Sequence, residues 1–182
     1  KITPTDLPEV LLVEPDVHHD PRGFLFESWH AEKYADAGLE VEFVQDNHSR
    51  SQRGTLRGLH AQLARPQGKL VRVSQGEIFD VAVDIRHGSP SFGRHIGVVL
   101  SAENFRQRWI PEGFAHGFCV VSETAELQYK CTDIYDPTSE LTISWDDSAI
   151  GIEWPVENPL LSDKDLAGQR LADCAPLDLP VY

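Results

Sequence analysis

Cysteine is scarce in this sequence, and what there is does not pair off. Cys119, Cys131 and Cys174 make an odd count, and no two form a CxxC motif. That argues against a disulfide framework or a structural zinc site and for a reducing compartment, so the cytoplasm is expected. Cys119 and Cys131 lie in apolar, strand-like stretches and read as small buried hydrophobes. Long apolar runs are also missing. The longest hold four or five residues, as at 10–13, against the roughly 20 that a membrane-spanning helix needs. The opening KITPTDLPEV lacks a charged segment followed by an apolar stretch, so no signal peptide is expected. Lys1 in place of an initiator Met implies trimming or preceding residues. No Gly-rich dinucleotide loop or P-loop is visible, and no cofactor is expected. There is no internal repeat, low-complexity run or linker. The 182 residues read as a single domain over 1–182, with a barrel core at roughly 22–147 and a segment, 148–182, folding back on it.

Acid is absent where base is dense. The net charge is −13, a balance that repels nucleic acid and anionic membranes and predicts neither as a partner. Yet from Asn47 to Gly76 there is no Asp or Glu, while Arg50, Arg53, Arg57, Arg65, Lys69 and Arg72 all fall there. Two readings are open: these cations pair with acids from elsewhere, or they form a local positive pocket for a phosphate or diphosphate.

Helix signals are few: 31–37 before Gly38, and 162–171, which opens on Ser162 as a candidate N-cap with Asp163 and Asp165 in its first turn. Short strand-like segments dominate, at 10–13, 24–29, 41–47, 55–60, 70–74, 77–85, 93–100, 108–110, 117–121, 125–132 and 142–145. Two alternate with period two. Phe79, Val81, Val83 and Ile85 oppose Asp80, Ala82 and Asp84. Ala125, Leu127, Tyr129 and Cys131 oppose Glu126, Gln128, Lys130 and Thr132. Each reads as a half-buried strand, and the whole as an all-β sandwich, jelly roll or barrel with a short C-terminal helical segment.

The turn Pro111-Glu112-Gly113-Phe114-Ala115-His116 fits PxGxxH and resembles the second motif of the cupin superfamily, a double-stranded β-helix (jelly-roll) barrel. In metal-binding cupins that His is a ligand, and the first motif supplies HxH and a Glu. Here the first motif reads His60-Ala61-Gln62, with no acid nearby. Two histidines fall short of the three or four ligands a divalent metal takes, so no metal is expected.

Further blocks make the resemblance specific. These are Arg22-Gly23 through Glu27, Gln45-Asp46-Asn47, LRGLH at 56–60, QGKLVRV at 67–73, IFDVAVDIR at 78–86 and SPSFG at 89–93. WIPEGFAHGF at 109–118, YKCT at 129–132 and LSDKD at 161–165 continue the order. The chain resembles the dTDP-4-dehydrorhamnose 3,5-epimerases. The resemblance implies a 4-keto-6-deoxyhexose on thymidine diphosphate as substrate, epimerised at C3 and C5 in dTDP-L-rhamnose biosynthesis for bacterial surface polysaccharide, and a homodimer whose N-terminal segments reach across the interface. The C–H bonds beside a ketone are acidic enough to break if a base, an opposed acid and an enolate stabiliser are in place.

The residues matching those roles are His60 as base, Asp165 as its orienting partner, Tyr129 as acid and Lys69 near the ketone oxygen. Histidine, with a free pKa of about 6.5, suits the base. The implied substrate-binding residues are Arg22, Glu27, Gln45, Asp46, Asn47, Arg57, Glu140, Lys164 and His116, the last as a neutral or cationic donor. Tyr135 is a candidate for stacking on the nucleobase. Read without the resemblance, His60 would be a hydrogen-bonded core histidine, Tyr129 a core filler and Lys69 a solvated surface group.

Two features fit less simply. Strict alternation puts Arg57 and His60 on opposite faces of a strand unless Gly58 introduces a bulge. Ala61 stands where many relatives carry an aromatic residue, and the 62–67 loop looks short. Rival readings are a family member inverting only C3 or only C5, a 3,4-ketoisomerase, a metal-dependent cupin, and a non-catalytic binding protein.

Overall fold

The computed structural model describes residues 1–182. Thirteen strands follow the chain: β1 (Ile2–Pro4), β2 (Leu11–Val13), β3 (Val17–Asp20), β4 (Gly23–Phe26), β5 (Gln45–Gln52), β6 (Leu56–Gln62), β7 (Lys69–Gln75), β8 (Glu77–Asp84), β9 (His95–Ser101), β10 (Gln107–Ile110), β11 (Phe114–Val120), β12 (Thr124–Cys131) and β13 (Glu140–Thr142). Helices are confined to α1 (Ala31–Asp36) and α2 (Asp163–Leu166), with two 3-10 turns near the C-terminus. A six-stranded sheet, β1-β2-β10-β7-β12-β5, faces a five-stranded one, β13-β6-β11-β8-β9, while β3 and β4 form a separate hairpin. All pairings between these strands are antiparallel. The all-β jelly-roll barrel read from the sequence is the fold observed. No helix is long and apolar enough to cross a membrane.

Period two assigns the side chains. Between the sheets, Val71 and Val73 of β7, Ala125 and Leu127 of β12 and Ile110 of β10 meet Ile78 and Ala82 of β8, Phe114, Phe118 and Val120 of β11 and Leu100 of β9. Removing each Val, Leu, Ile or Phe side chain of this set from water contributes about 1.5–3 kcal/mol. This apolar packing fills one half of the barrel and leaves the other half open as a cavity.

The alternate residues are covered as well. On the five-stranded sheet, Leu59, Val81, Val83, Ala115, Leu141 and Ile143 pack beneath Ile150, Leu171, Cys174 and Leu179 of the C-terminal segment. On the six-stranded sheet, Val13, Leu70 and Trp109 pack beneath Tyr34 of α1 and Leu39. The half-buried reading of β8 is corrected here. With the barrel on one side and the C-terminal segment on the other, Val81 to Asp84 are all buried, and Asp80 and Asp84 face inward rather than to solvent.

Other boundaries shift. The strand expected at 41–47 begins at Gln45 and runs to Gln52, and the helix expected over 162–171 ends at Leu166. β1 and β3 carry no alternation that the sequence reveals.

Arg57 and His60 do share the barrel face. His116 pairs with His60 and Phe118 with Arg57, so two residues of β6, Gly58 and Leu59, stand against Gly117 alone on β11. The extra residue is a bulge at Gly58, whose φ of 130° favours glycine. A Cβ there would lie 2.5 Å from Gly117 Cα and 2.9 Å from His116 O. Gly58→Ala is therefore expected to lower stability by about 1–3 kcal/mol and to disturb the Arg57–His60 spacing. Urea unfolding checks this, and an unchanged midpoint would contradict it.

Candidate active site

The open half of the barrel is a cavity of about 360 Å³, within the range of small-molecule sites. Eleven residues singled out from the sequence line it: Gln45 and Asn47 from β5, Arg57 and His60 from β6, Lys69 from β7, His116 from β11, Tyr129 from β12, Tyr135 from the following loop, Glu140 from β13, and Lys164 and Asp165 from the α2 turn.

The tightest arrangement in it is built around Asp165. Its Oδ1 lies 2.7 Å from His60 Nε2 and accepts the Gly58 amide at 3.1 Å, while Ser162 Oγ donates to Oδ2 at 2.6 Å. Ser162 caps α2: its Oγ accepts the Asp165 amide and its own amide donates to Asp165 Oδ2, a reciprocal capping box. Pairing of Leu160 with Thr55 and of Gln169 with Ile143 fixes this segment to the sheet edge. Burial opposes ionisation of Asp165, but the hydrogen bonds from His60, Ser162 and the Gly58 amide outweigh it and hold the carboxyl well below the usual range. A carboxylate only accepts, so Nε2 carries the proton. In the neutral ring Nδ1 is then the bare nitrogen, and it has no protein partner.

Across the cavity, burial pushes the Tyr129 phenol above its ordinary value, with Cys131 adding and Arg57 opposing, so it keeps its proton at neutral pH. Burial pulls the Lys69 ammonium down, opposed by Cys131, Glu140 and Asp80. Neither has a hydrogen-bond partner in the protein, and both line the cavity. At the rim, Lys164 reaches Glu140 at 2.9 Å and Tyr135 donates to the other Glu140 oxygen at 3.2 Å. Gln45 accepts the Tyr135 amide at 2.8 Å. The basic stretch divides: Arg50, Arg53 and Arg65 pair with Glu126, Glu123 and Asp133, while Arg57 and Lys69 line the cavity without an ion pair of their own.

Three expected binding residues lie elsewhere. Asp46 is on the opposite face of β5 from Gln45 and Asn47, as period two dictates, and pairs with Lys130. Arg22 is 89% exposed on the β3–β4 hairpin and pairs with Asp20, and Glu27 pairs with Lys33. None of the three lines this chain's own cavity.

Other contributors were not anticipated. Asp80 and Arg108 are fully buried behind His116. Gln62 ties down both neighbouring loops, giving its amide hydrogens to Arg65 O and Ile134 O and accepting the Asp136 amide. For Asp80 the alternation is the available signal, since it places Asp80 on one face with Ala82, which packs between the sheets. No three His, Cys, Asp or Glu side chains converge as a metal would require.

A family model described as dTDP-4-dehydrorhamnose 3,5-epimerase matches residues 4–173. The chain belongs to that family. The dTDP-4-dehydrorhamnose 3,5-epimerase of Shigella flexneri is 59% identical over 171 residues, covering 93% of this chain and 94% of that protein. The epimerase of Legionella pneumophila, solved with dTDP-4-keto-L-rhamnose, shares 52% identity at a TM-score of 0.97, over 100% of this chain and 98% of that one. A 3′-monoepimerase from Streptomyces bikiniensis, solved with dTDP-quinovose, shares 34% identity at a TM-score of 0.93, over 99% and 93%. This epimerase is thus an isomerase on a cupin-type barrel.

The depressed Asp165 pKa has a consequence for stability. The group stabilises the fold fully at pH above the ordinary carboxylate range, and that contribution is lost as pH falls and the unfolded chain takes up the proton first. The stability gap between this epimerase and its Asp165→Asn variant should be widest at about pH 7 and narrow towards about pH 3. Urea unfolding at both pH values measures it; a gap independent of pH contradicts the assignment.

Proposed function

We propose that this epimerase converts dTDP-4-dehydro-6-deoxy-D-glucose to dTDP-4-dehydro-L-rhamnose, inverting C3 and C5 without a cofactor, in dTDP-L-rhamnose biosynthesis. The observation that carries the proposal is the convergence of the His60–Asp165 pair, Tyr129 and Lys69 on one cavity.

His60 Nδ1 takes the proton from the carbon beside the ketone, and the C–H electron pair moves into the enolate. Asp165 fixes the tautomer and stabilises the imidazolium that forms. Charge develops on the C4 oxygen, where the Lys69 ammonium stabilises it in a partly desolvated setting. The Tyr129 phenol returns a proton to the carbon from the opposite face, and the configuration inverts. A proton passing from His60 to the tyrosinate through solvent resets the site, and no atom or electron is gained or lost overall. Arg57, which lines the cavity with its guanidinium held by Ser51 Oγ at 3.2 Å, suits a diphosphate. Gln45, Asn47, Glu140, Lys164 and Tyr135 orient sugar and base.

A homodimer is part of this reading. The β3–β4 hairpin stands apart from both sheets and exposes Phe24, Leu25 and Arg22, and β5 ends its sheet with a free edge. A hairpin reaching a second copy's cavity gives Arg22 and Glu27 a place in a site they do not enter in their own chain. The three free, buried cysteines suit the reducing cytoplasm. Single-centre inversion is the second reading, favoured by the likeness to the 3′-monoepimerase.

Proton NMR of the 4-keto-6-deoxyglucose nucleotide in D2O separates the two by showing which hydrogens wash out and which centres invert. His60→Ala should abolish washout at C3 and C5, a loss of at least roughly 10²–10⁴-fold; wild-type exchange in that variant would remove His60 as the base. In the same assay Tyr129→Phe should retain part of the washout but lose inversion, and full inversion would remove the phenol from the mechanism.

A further inference from the structure

We propose that Arg108 and Asp80 are positioning residues that hold His116 as a neutral imidazole with its bare Nδ1 turned to the cavity, an acceptor for a hydroxyl of the bound sugar. The sugar contact rests on the reaction proposed above; the charge state of His116 does not.

Arg108, on β10, points into the barrel and has no solvent exposure. Its Nη1 donates to Asp80 O at 2.7 Å and Oδ1 at 3.0 Å, and its Nη2 to Ile96 O at 2.7 Å. The other oxygen of Asp80 lies 2.6 Å from His116 Nε2. Arg108 Nε is left as the one buried side-chain polar atom without a partner. A buried ion pair with an unpaired donor is a poor stability device, which leaves its effect on His116 as the reason to keep it.

The geometry fixes the tautomer. Asp80 only accepts, so Nε2 carries the hydrogen and Nδ1 of the neutral ring is an acceptor. Nδ1 has no partner in the protein, yet it is not among the buried unpaired atoms. It therefore opens on the cavity that His116 lines.

The charge count fixes the protonation state. Asp80 carries one negative charge, already matched by the Arg108 guanidinium. The other groups facing His116 are Lys69 of β7, Tyr129 of β12, His60 opposite on β6 and Glu140 of β13. Burial, Lys69 and Arg108 all disfavour a second proton on the ring, and Asp80 alone among the strong influences favours one. Without the guanidinium, Asp80 would draw that proton. His116 would then present a donor beside Lys69 instead of an acceptor.

Nitrogen NMR of the His116 ring tests this without any assay of turnover. In the wild-type protein the ring should be neutral at about pH 6, with hydrogen on Nε2 and Nδ1 bare; an imidazolium or an Nδ1–H form there overturns the proposal. In Arg108→Met the titration midpoint should rise by at least a unit, roughly tenfold in proton affinity. Adding Asp80→Asn should bring it back down, and Arg108→Lys should leave it near wild type. A folded Arg108→Met protein with an unshifted midpoint overturns the role of Arg108. Adding an unreactive dTDP-hexose should move the Nδ1 resonance, and no movement in saturated protein overturns the sugar contact. Should C3 and C5 washout fail while these results hold, it is the reaction that is misassigned.

Discussion

The hydrogen bond between Asp165 and His60 is the constraint from which most of the site follows. It joins the first turn of a four-residue helix to the middle of a barrel strand, residues 105 positions apart. Neither end would hold alone. A helix so short has little intrinsic stability and is locked by its capping box and by the bridges at Thr55–Leu160 and Ile143–Gln169. On the strand side, the bulge at Gly58 turns both its amide and the imidazole towards the same carboxylate oxygen. Donors from His60, Gly58 and Ser162 then keep that carboxylate ionised in a buried place, and the ionised carboxylate sets which histidine nitrogen is free.

A second His–carboxylate pair repeats the device on the neighbouring strand. His116 stands opposite His60 in register, and each ring gives its Nε2 to a buried carboxylate. The two differ in what lies behind. Asp165 is satisfied by neutral donors, so a proton gained by His60 is matched by an uncompensated negative charge. Asp80 is already neutralised by Arg108, so a proton gained by His116 is not. One imidazole is suited to become a cation during turnover, and the other to remain neutral. Two residues from His60, Gln62 ties the segments at Arg65 and at Ile134–Asp136 to β6.

Much of this was legible in the sequence because strand alternation and motif order are local properties. The fold class and most strands follow from period two and turn residues, and the ordered blocks from Arg22 to Asp165 carry the family. What local pattern leaves out is what covers a face from a distance. A half-buried strand would turn Asp80 to water, and nothing near it in sequence reveals that the face it shares with Ala82 lies inside the barrel, against Arg108 and His116. Asp46 matches the family block together with Gln45 and Asn47, whereas a strand separates neighbours onto opposite sides, and Asp46 pairs with Lys130 instead. Arg22 and Glu27 match the motif, but one lies in the β3–β4 turn and the other just after β4, away from this chain's own cavity. Arg108 gave no sign at all, since a lone arginine in an apolar strand declares its partner only in three dimensions.

The central claim is that the Asp165 carboxylate directs proton transfer rather than substrate capture. Asp165→Asn keeps the shape and removes the charge, and two rates and one affinity suffice to judge it: deuterium washout at C3 and at C5, and binding of a dTDP-hexose by calorimetry. The account predicts washout slowed by roughly 10²-fold or more at both carbons, by analogy with loss of the orienting carboxylate in hydrolase triads, with binding changed by less than a few-fold. Washout at the wild-type rate, or a loss traced wholly to weaker binding, would contradict it.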